Sequence, residues 1–209
     1  MTEKIAKTIE ALKANNMEVF YAETKEEIPK IVGGILNEGD TVSCGGSMSL
    51  KECGVDALMR CGDYNFLDRA ATDNVQKLYR DCFSADAYLT SANAVTQNGE
   101  LINVDGNANR VSCITFGPKK VIFVIGANKI VDNVNDGFKR VKTIAAPKNA
   151  VRLGTATPCR ELGHCICVDG DIADGCKSHQ RMCVQYVITA FQRDKNRIKV
   201  IITPDSLGY

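Results

Sequence analysis

Lys119-Lys120-Val121-Ile122-Phe123-Val124-Ile125-Gly126 is the stretch that decides the fold. Its apolar run is too short for a buried helix and is rich in β-branched residues, so it predicts a central strand covered on both faces. Outward from it, strand and helix patterns alternate. Val134, Phe138 and Val141 mark a helix after it. Before it, Ala87-Tyr88-Leu89-Thr90 and Tyr64-Asn65-Phe66-Leu67 are strand-like, with a helix over 72–83 between them that points Val75, Leu78, Tyr79 and Cys82 inward. Thr41-Val42-Ser43-Cys44 predicts a further strand, leading through Gly45-Gly46-Ser47-Met48-Ser49 into a short helix through Leu50 and Glu52.

Nearer the start, Ile5, Ile9 and Leu12 recur at helical spacing, and Met17-Glu18-Val19-Phe20-Tyr21 follows as a short strand. Thr24-Lys25-Glu26-Glu27 has the form of a capping box, its hydroxyl accepting from the backbone and Glu27 reaching back. The helix it opens presents Ile28, Ile31, Val32, Ile35 and Leu36, with Pro29 early in it and removing one hydrogen bond. Asn98-Gly99, between β-prone flanks over 95–102, predicts a hairpin with a type I′ turn, both central residues at positive φ. Residues 184–191 and 198–203 are two more strands, and the short Arg193–Asn196 link predicts that they form an antiparallel pair. The expected architecture is one α/β domain over residues 1–209: three layers, α/β/α, with a mostly parallel sheet, antiparallel edge hairpins and a Cys-rich C-terminal segment at 155–183.

The 209 residues are 44% apolar and 24% charged, with a net charge of +1. That is ordinary globular composition, without the basic stripe of a nucleic-acid binder. The first residues carry charges throughout and lack the apolar stretch of a signal peptide, and no run approaches the length of a membrane span. A cytoplasmic location is therefore expected. In that compartment the ten cysteines are free thiols, metal ligands or redox groups, and a disulfide framework is not expected. A homodimer is the base-rate expectation.

Three loops offer candidate ligand contacts. In Gly45-Gly46-Ser47-Met48-Ser49 the glycines let backbone N–H groups approach a ligand, and the following helix start favours negative charge. The alternative is a tight turn with Ser47 as N-cap. In Asp105-Gly106-Asn107-Ala108-Asn109-Arg110, Arg110 could pair a carboxylate bidentately, although Asp, Gly and Asn are also ordinary turn residues. Gly126-Ala127-Asn128-Lys129 follows the central strand, where ligands of open α/β sheets gather. Lys129 is there either as a cation for substrate or as a surface lysine. No Ser-His-Asp triad can be drawn, because both histidines, His164 and His179, fall in the Cys-rich segment. Cys159, Cys165, Cys167, Cys176 and Cys183 fall there too, and thiolate with imidazole is the chemistry of zinc and iron–sulfur sites. The other five cysteines are scattered and are expected mostly inside.

Thr90–Leu101 with its Ser91-Ala92-Asn93-Ala94 start, Asp105–Arg110, Phe116–Val131, Ala145–Leu153, Gly45–Leu50 and the ending Asp205–Tyr209 together resemble the LUD-domain family, associated with lactate utilisation. The resemblance covers nearly the whole chain. It implies a fold similar to the ribose-5-phosphate isomerase, glucosamine-6-phosphate deaminase and CoA-transferase group, which binds anions over strand ends with a Gly/Ser-rich loop. Gly45, Gly46, Ser47, Ser49, Asn93, Asp105, Asn109, Arg110, Gly126, Asn128 and Lys129 are the expected substrate contacts. Short members of the family resemble the chain at its cysteines as well. Their pattern maps onto Cys159, Cys165, Cys176 and Cys183, with extra residues between the second and third positions that leave Cys167 as a spare or substitute ligand. This implies one Cys-ligated centre, zinc or [4Fe–4S], with His164 or His179 as a substitute ligand.

Three functions are carried forward. The first is a component of a lactate-to-pyruvate oxidation system, binding a small anionic metabolite alongside iron–sulfur oxidoreductase subunits. The second is an acyl-CoA or sugar-phosphate transferase or isomerase using the Gly/Ser loop and Lys129, with Asp105 or Glu100 as the available carboxylate. The third is a non-catalytic metabolite-binding subunit.

Overall fold

A computed structural model describes Met1–Tyr209. In chain order the elements are α1 (Glu3–Ala14), β1 (Glu18–Tyr21), α2 (Ile28–Ile35), β2 (Thr41–Cys44), α3 (Met48–Glu52), α4 (Val55–Met59), β3 (Asn65–Leu67), α5 (Val75–Asp81), β4 (Ala87–Thr90), β5 (Ala94–Thr96), β6 (Leu101–Asp105), α6 (Asn109–Thr115), β7 (Lys120–Gly126), β8 (Ile130–Val131), α7 (Val134–Arg140), α8 (Ala146–Leu153), α9 (Pro158–Leu162), β9 (Gln185–Thr189) and β10 (Ile198–Thr203). A π-helical turn, Val141–Ala145, joins α7 to α8.

The main sheet has the order β1-β10-β7-β4-β2-β3, and every pairing in it is parallel. β7 is an inner strand, as its unbroken apolar run requires. Its side chains alternate between two cores: Val121, Phe123 and Ile125 pack with Ile5, Ile9 and Leu12 of α1, while Ile122 and Val124 pack with Ile28 and Val32 of α2 and with Leu50. Two apolar layers on one sheet are what make the domain a three-layer α/β/α sandwich. Each of these fully buried side chains contributes about 1.5–3 kcal/mol.

A second sheet, β8-β5-β6-β9, holds the antiparallel pairs. β5 and β6 form the expected hairpin, with Ala94 opposite Ile102 and Val95 opposite Leu101. Its turn differs from the expected type I′, because Gly99 has a positive φ of 82° and Asn98 does not. The Gly99 N–H donates to Thr96 O at 3.0 Å, and Thr96 Oγ1 accepts from the N–H groups of Asn98 and Glu100. Asn15 Nδ2 donates to the Asn98 and Gly99 carbonyls, so α1 and Thr96 together select the turn.

The expected pairing of 184–191 with 198–203 is corrected: β9 pairs with β6 in the second sheet, while β10 lies between β1 and β7 in the first. Burial explains the separation. Ile198, Val200, Ile201 and Ile202 are enclosed on both faces, whereas Gln185 and Ile188 of β9 remain exposed. The short link passes the chain from one sheet to the other. The capping box is also corrected in part. Thr24 makes no side-chain cap bond, although Glu27 does reach back, accepting from the Glu23 N–H at 2.9 Å. The α-helix starts later, at Ile28, which places Pro29 in the first turn where its missing N–H costs nothing. Of the scattered cysteines, Cys53, Cys82 and Cys113 are buried, Cys44 is half-buried and Cys61 is exposed. No helix is long and apolar enough to cross a membrane.

Candidate functional site

The strands β2, β4 and β7 point their carboxyl ends at one cavity of about 420 Å³. Gly45, Gly46, Ser47, Ser49, Asn93, Asp105, Asn109, Arg110 and Lys129 all line it, brought together from the segments that follow β2, β4, β6 and β7. Gly126 and Asn128 do not. A Cβ on Gly126 would lie 2.6 Å from Asn128 Oδ1, Asp205 O and Leu207 N, and Asn128 Oδ1 accepts from the Leu207 N–H. Those two residues dock the C-terminal segment, which then walls the cavity with Tyr209.

Ser47 is indeed the N-cap of α3, its Oγ accepting from Leu50 N–H at 3.3 Å. The two glycines before it answer to a different constraint. A Cβ on Gly45 would stand 3.1 Å from the Tyr88 hydroxyl, and one on Gly46 would stand 2.9 Å from Arg69 Nη2 and 3.4 Å from Arg152 Nη1. Two guanidinium groups from distant parts of the chain thus close over one bare backbone position. Neither forms an ion pair with a carboxylate of the chain. Arg152 is steered by Asn149 Oδ1, which accepts from Nε at 3.1 Å and Nη2 at 2.6 Å. Nothing local in the sequence marks Arg69, and although Arg152 falls in Ala145–Leu153, one of the stretches that resemble the family, nothing there singles it out as a ligand contact.

Arg110 has a structural task. Its Nη1 donates to Ser91 O and Asn103 Oδ1, and its Nη2 to Asn93 Oδ1 and Val104 O. Its Nε faces Asp105 Oδ2 at 3.6 Å. The fork that could have gripped a carboxylate is spent on tying β6 to the loop after β4. Asp105 accepts from the Arg110 and Val111 N–H groups and so starts α6. Asn103 Nδ2 is left buried without a partner beside this network.

Lys129 is 3% exposed, which rules out the surface alternative. Its Nζ donates to Ser49 Oγ at 2.8 Å and to Ser91 Oγ at 2.9 Å. Both hydroxyls pass their own protons to carbonyls, of Leu207 and Val124 respectively. Burial, with the neighbouring Arg140 and Arg110 charges, pushes the ammonium down to about 7. Arg140 is itself buried, and it donates to Asn93 O at 2.6 Å and Asn128 O at 3.2 Å. Ser91 lies inside the motif Thr90-Ser91-Ala92-Asn93, but its role depends on a lysine 38 residues away.

The four cysteines Cys159, Cys165, Cys176 and Cys183 line a second, small cavity of about 30 Å³. Cys167 does not line it; its N–H donates to Cys165 Sγ at 3.4 Å. Neither histidine lines it either: His164 is exposed, and His179 lines the larger cavity. Burial, with added repulsion from Cys159, Cys165 and Cys176, pushes the Cys183 thiol up to about 11. In kind, four thiols around one space suit a tetrahedral thiolate centre. In spacing, no three His, Cys, Asp or Glu side chains are grouped as ligands of an ion.

The segment is held by two cations. Lys142 Nζ donates to the carbonyls of Cys167, Gly170 and Asp171, and Arg181 donates to those of Ala173, Cys176 and Cys183. Lys142 lies in the π-helical turn, where helical pairing is irregular, and its own carbonyl accepts from Cys165 N–H at 2.8 Å. The segment is therefore not remote from the ligand cavity. Ala146, Arg181, Met182 and Cys183 line both spaces.

Fold and cavity define an α/β domain with a cationic pocket over its strand ends. The LUD domain model matches residues 5–203, and the chain belongs to that family. Among solved structures, it is similar to a DUF162 family protein from Deinococcus radiodurans, at 15% identity, 96% coverage of each chain and a TM-score of 0.54. This likeness shows the shared fold. Lower similarity is found to the tetrameric eIF2B-β2-δ2 complex from C. thermophilum, at 15% identity, covering 85% of this chain and 55% of that one with a TM-score of 0.43. The malonate decarboxylase α subunit from Acinetobacter baumannii scores 0.36 at 14% identity, covering 64% and 33%. No curated protein matches the sequence.

Proposed function

We propose that this protein binds a small organic anion as a lactate-utilisation component, in a system that oxidises lactate to pyruvate. The observation that carries the reading is the convergence of Arg69 and Arg152 on the bare Gly46 backbone without a carboxylate to neutralise them. Cations left unpaired beside a cavity favour a bound anion, and guanidinium forks suit carboxylate or phosphate. Family membership supports the lactate context. Isothermal titration with lactate, pyruvate, sugar phosphates and acyl-CoA esters tests the reading. A 2-hydroxy or 2-oxo acid should bind, and Arg152→Ala should weaken it about tenfold or more, the value of a lost charge-assisted pair. Selective binding of a sugar phosphate or CoA ester would favour the transferase or isomerase alternative, and binding of none would refute the anion site.

The cysteine quartet supports a second element of the proposal, a Cys-ligated centre of zinc or [4Fe–4S]. Four thiols line one space that shares four wall residues with the anion cavity. Cys159, Cys165, Cys176 and Cys183 would hold the centre, which would serve either to brace the segment or to pass electrons to iron–sulfur partner subunits. Metal analysis of protein purified without oxygen, with absorbance near the visible iron–sulfur bands, distinguishes the two. A chain that carries neither metal, even after anaerobic reconstitution, would refute the centre.

A further inference from the structure

We propose that Lys129 captures the carbonyl group of a 2-oxo acid bound in the cavity, forming an imine through its side-chain nitrogen. This rests on the anion reading and adds a covalent step to it. Three features set this amine apart from every other lysine of the chain. It is buried, yet it lines the cavity. It has no carboxylate partner; its two hydrogen-bond acceptors are the neutral hydroxyls of Ser49 and Ser91. Those hydroxyls are fixed as acceptors, because each donates its proton to a backbone carbonyl. The serines therefore take two N–H bonds and leave the remaining valence of the nitrogen for the cavity that it lines.

An amine buried this way beside Arg110 and Arg140 is about half neutral at pH 7, and the neutral amine is the nucleophilic form. With the acid group of the ligand held by Arg69 and Arg152 on the Gly46 side, the lone pair of Nζ would add to the carbonyl carbon. The C–N bond forms as the C=O π pair moves onto oxygen, which takes a proton from the nitrogen to give a carbinolamine. Loss of water, made of that hydroxyl and a second proton from the nitrogen, leaves the imine. The ketone and amine balance against imine and water, and no oxidant or reductant takes part.

Wild-type protein is incubated with pyruvate and sodium cyanoborohydride, and the peptides are mapped by mass spectrometry, with pyruvate binding measured in parallel by calorimetry. At pH 7 an amine with the Lys129 value is about half neutral, whereas an ordinary lysine is neutral on the order of one part in a thousand. Reduced adduct should therefore accumulate on Lys129 at least about tenfold faster than on any exposed lysine, after a generous allowance for restricted access. From pH 6 to pH 8 labelling of this peptide should rise only about tenfold and begin to level off, whereas that of an ordinary lysine rises about a hundredfold. Adducts spread over exposed lysines with Lys129 unmodified, while calorimetry shows pyruvate bound, would overturn the imine and leave the anion site standing. No binding in calorimetry would overturn both.

Discussion

Replacing Lys129 by Met should change how stability depends on pH. The folded protein releases the Lys129 proton at about 7, against 10.5 for the group in an unfolded chain. Between those values the unfolded chain carries one more proton, so raising the pH favours the folded state. Below 7 both states hold the proton, and the folded state bears the full cost of a buried ammonium. The slope in between approaches about 1.4 kcal/mol per pH unit. From pH 7 to pH 9 the wild type should gain about 2–3 kcal/mol relative to Lys129→Met, whose side chain does not titrate. The variant leaves no orphan hydroxyl proton, because Ser49 and Ser91 keep their carbonyl acceptors. Urea unfolding of both proteins at pH 6, 7, 8 and 9 gives the difference, in which every shared titrating group cancels. Stability differences that stay constant from pH 7 to pH 9 would show that Lys129 remains charged in the fold, and the account of its neutral form would fail.

Lys142→Met removes one buried cation that donates to three carbonyls of the cysteine loop; it should cost about 1–3 kcal/mol and speed alkylation of Cys165 and Cys167, read by mass spectrometry. Gly99→Ala forces a positive φ on an L-residue and sets its Cβ 2.6 Å from the Ala11 backbone, so a loss of about 3 kcal/mol is expected in chemical denaturation. Phe123→Ala empties a fully buried position of β7 and should cost about 3–5 kcal/mol, with the helical circular dichroism retained under native conditions.

Much of the architecture was legible because its causes are local. An apolar run such as 119–126 has few lodgings other than a strand covered on both faces, and Ile5, Ile9 and Leu12 have one helical face to offer. The last two strands lie in different sheets, against the antiparallel pairing that their short link predicts, for the opposite reason. Link length limits how far apart two strands can start, yet says nothing about which sheet each joins; that was decided by β10 being apolar enough to fill the gap between β1 and β7. The candidate site shows the same division. Gly45, Gly46 and Lys129 stand out by their places after strands, whereas the sequence leaves Arg110 open between a ligand contact and a turn residue, and only the fold shows its fork bonded to four backbone and side-chain acceptors.

By itself the sequence determined the alternation of strands and helices, the loops that follow β2 and β7, the family resemblance and the gathering of thiols near the end. Only the tertiary structure brought Arg69 and Arg152 over Gly46, enclosed Lys129 between Ser49 and Ser91, and set the cysteine quartet against the wall of the same cavity. The reason is range. Secondary structure follows from neighbours a few residues apart, but the charge on a buried amine depends on what surrounds it, and here one of its two partners lies 80 residues away along the chain.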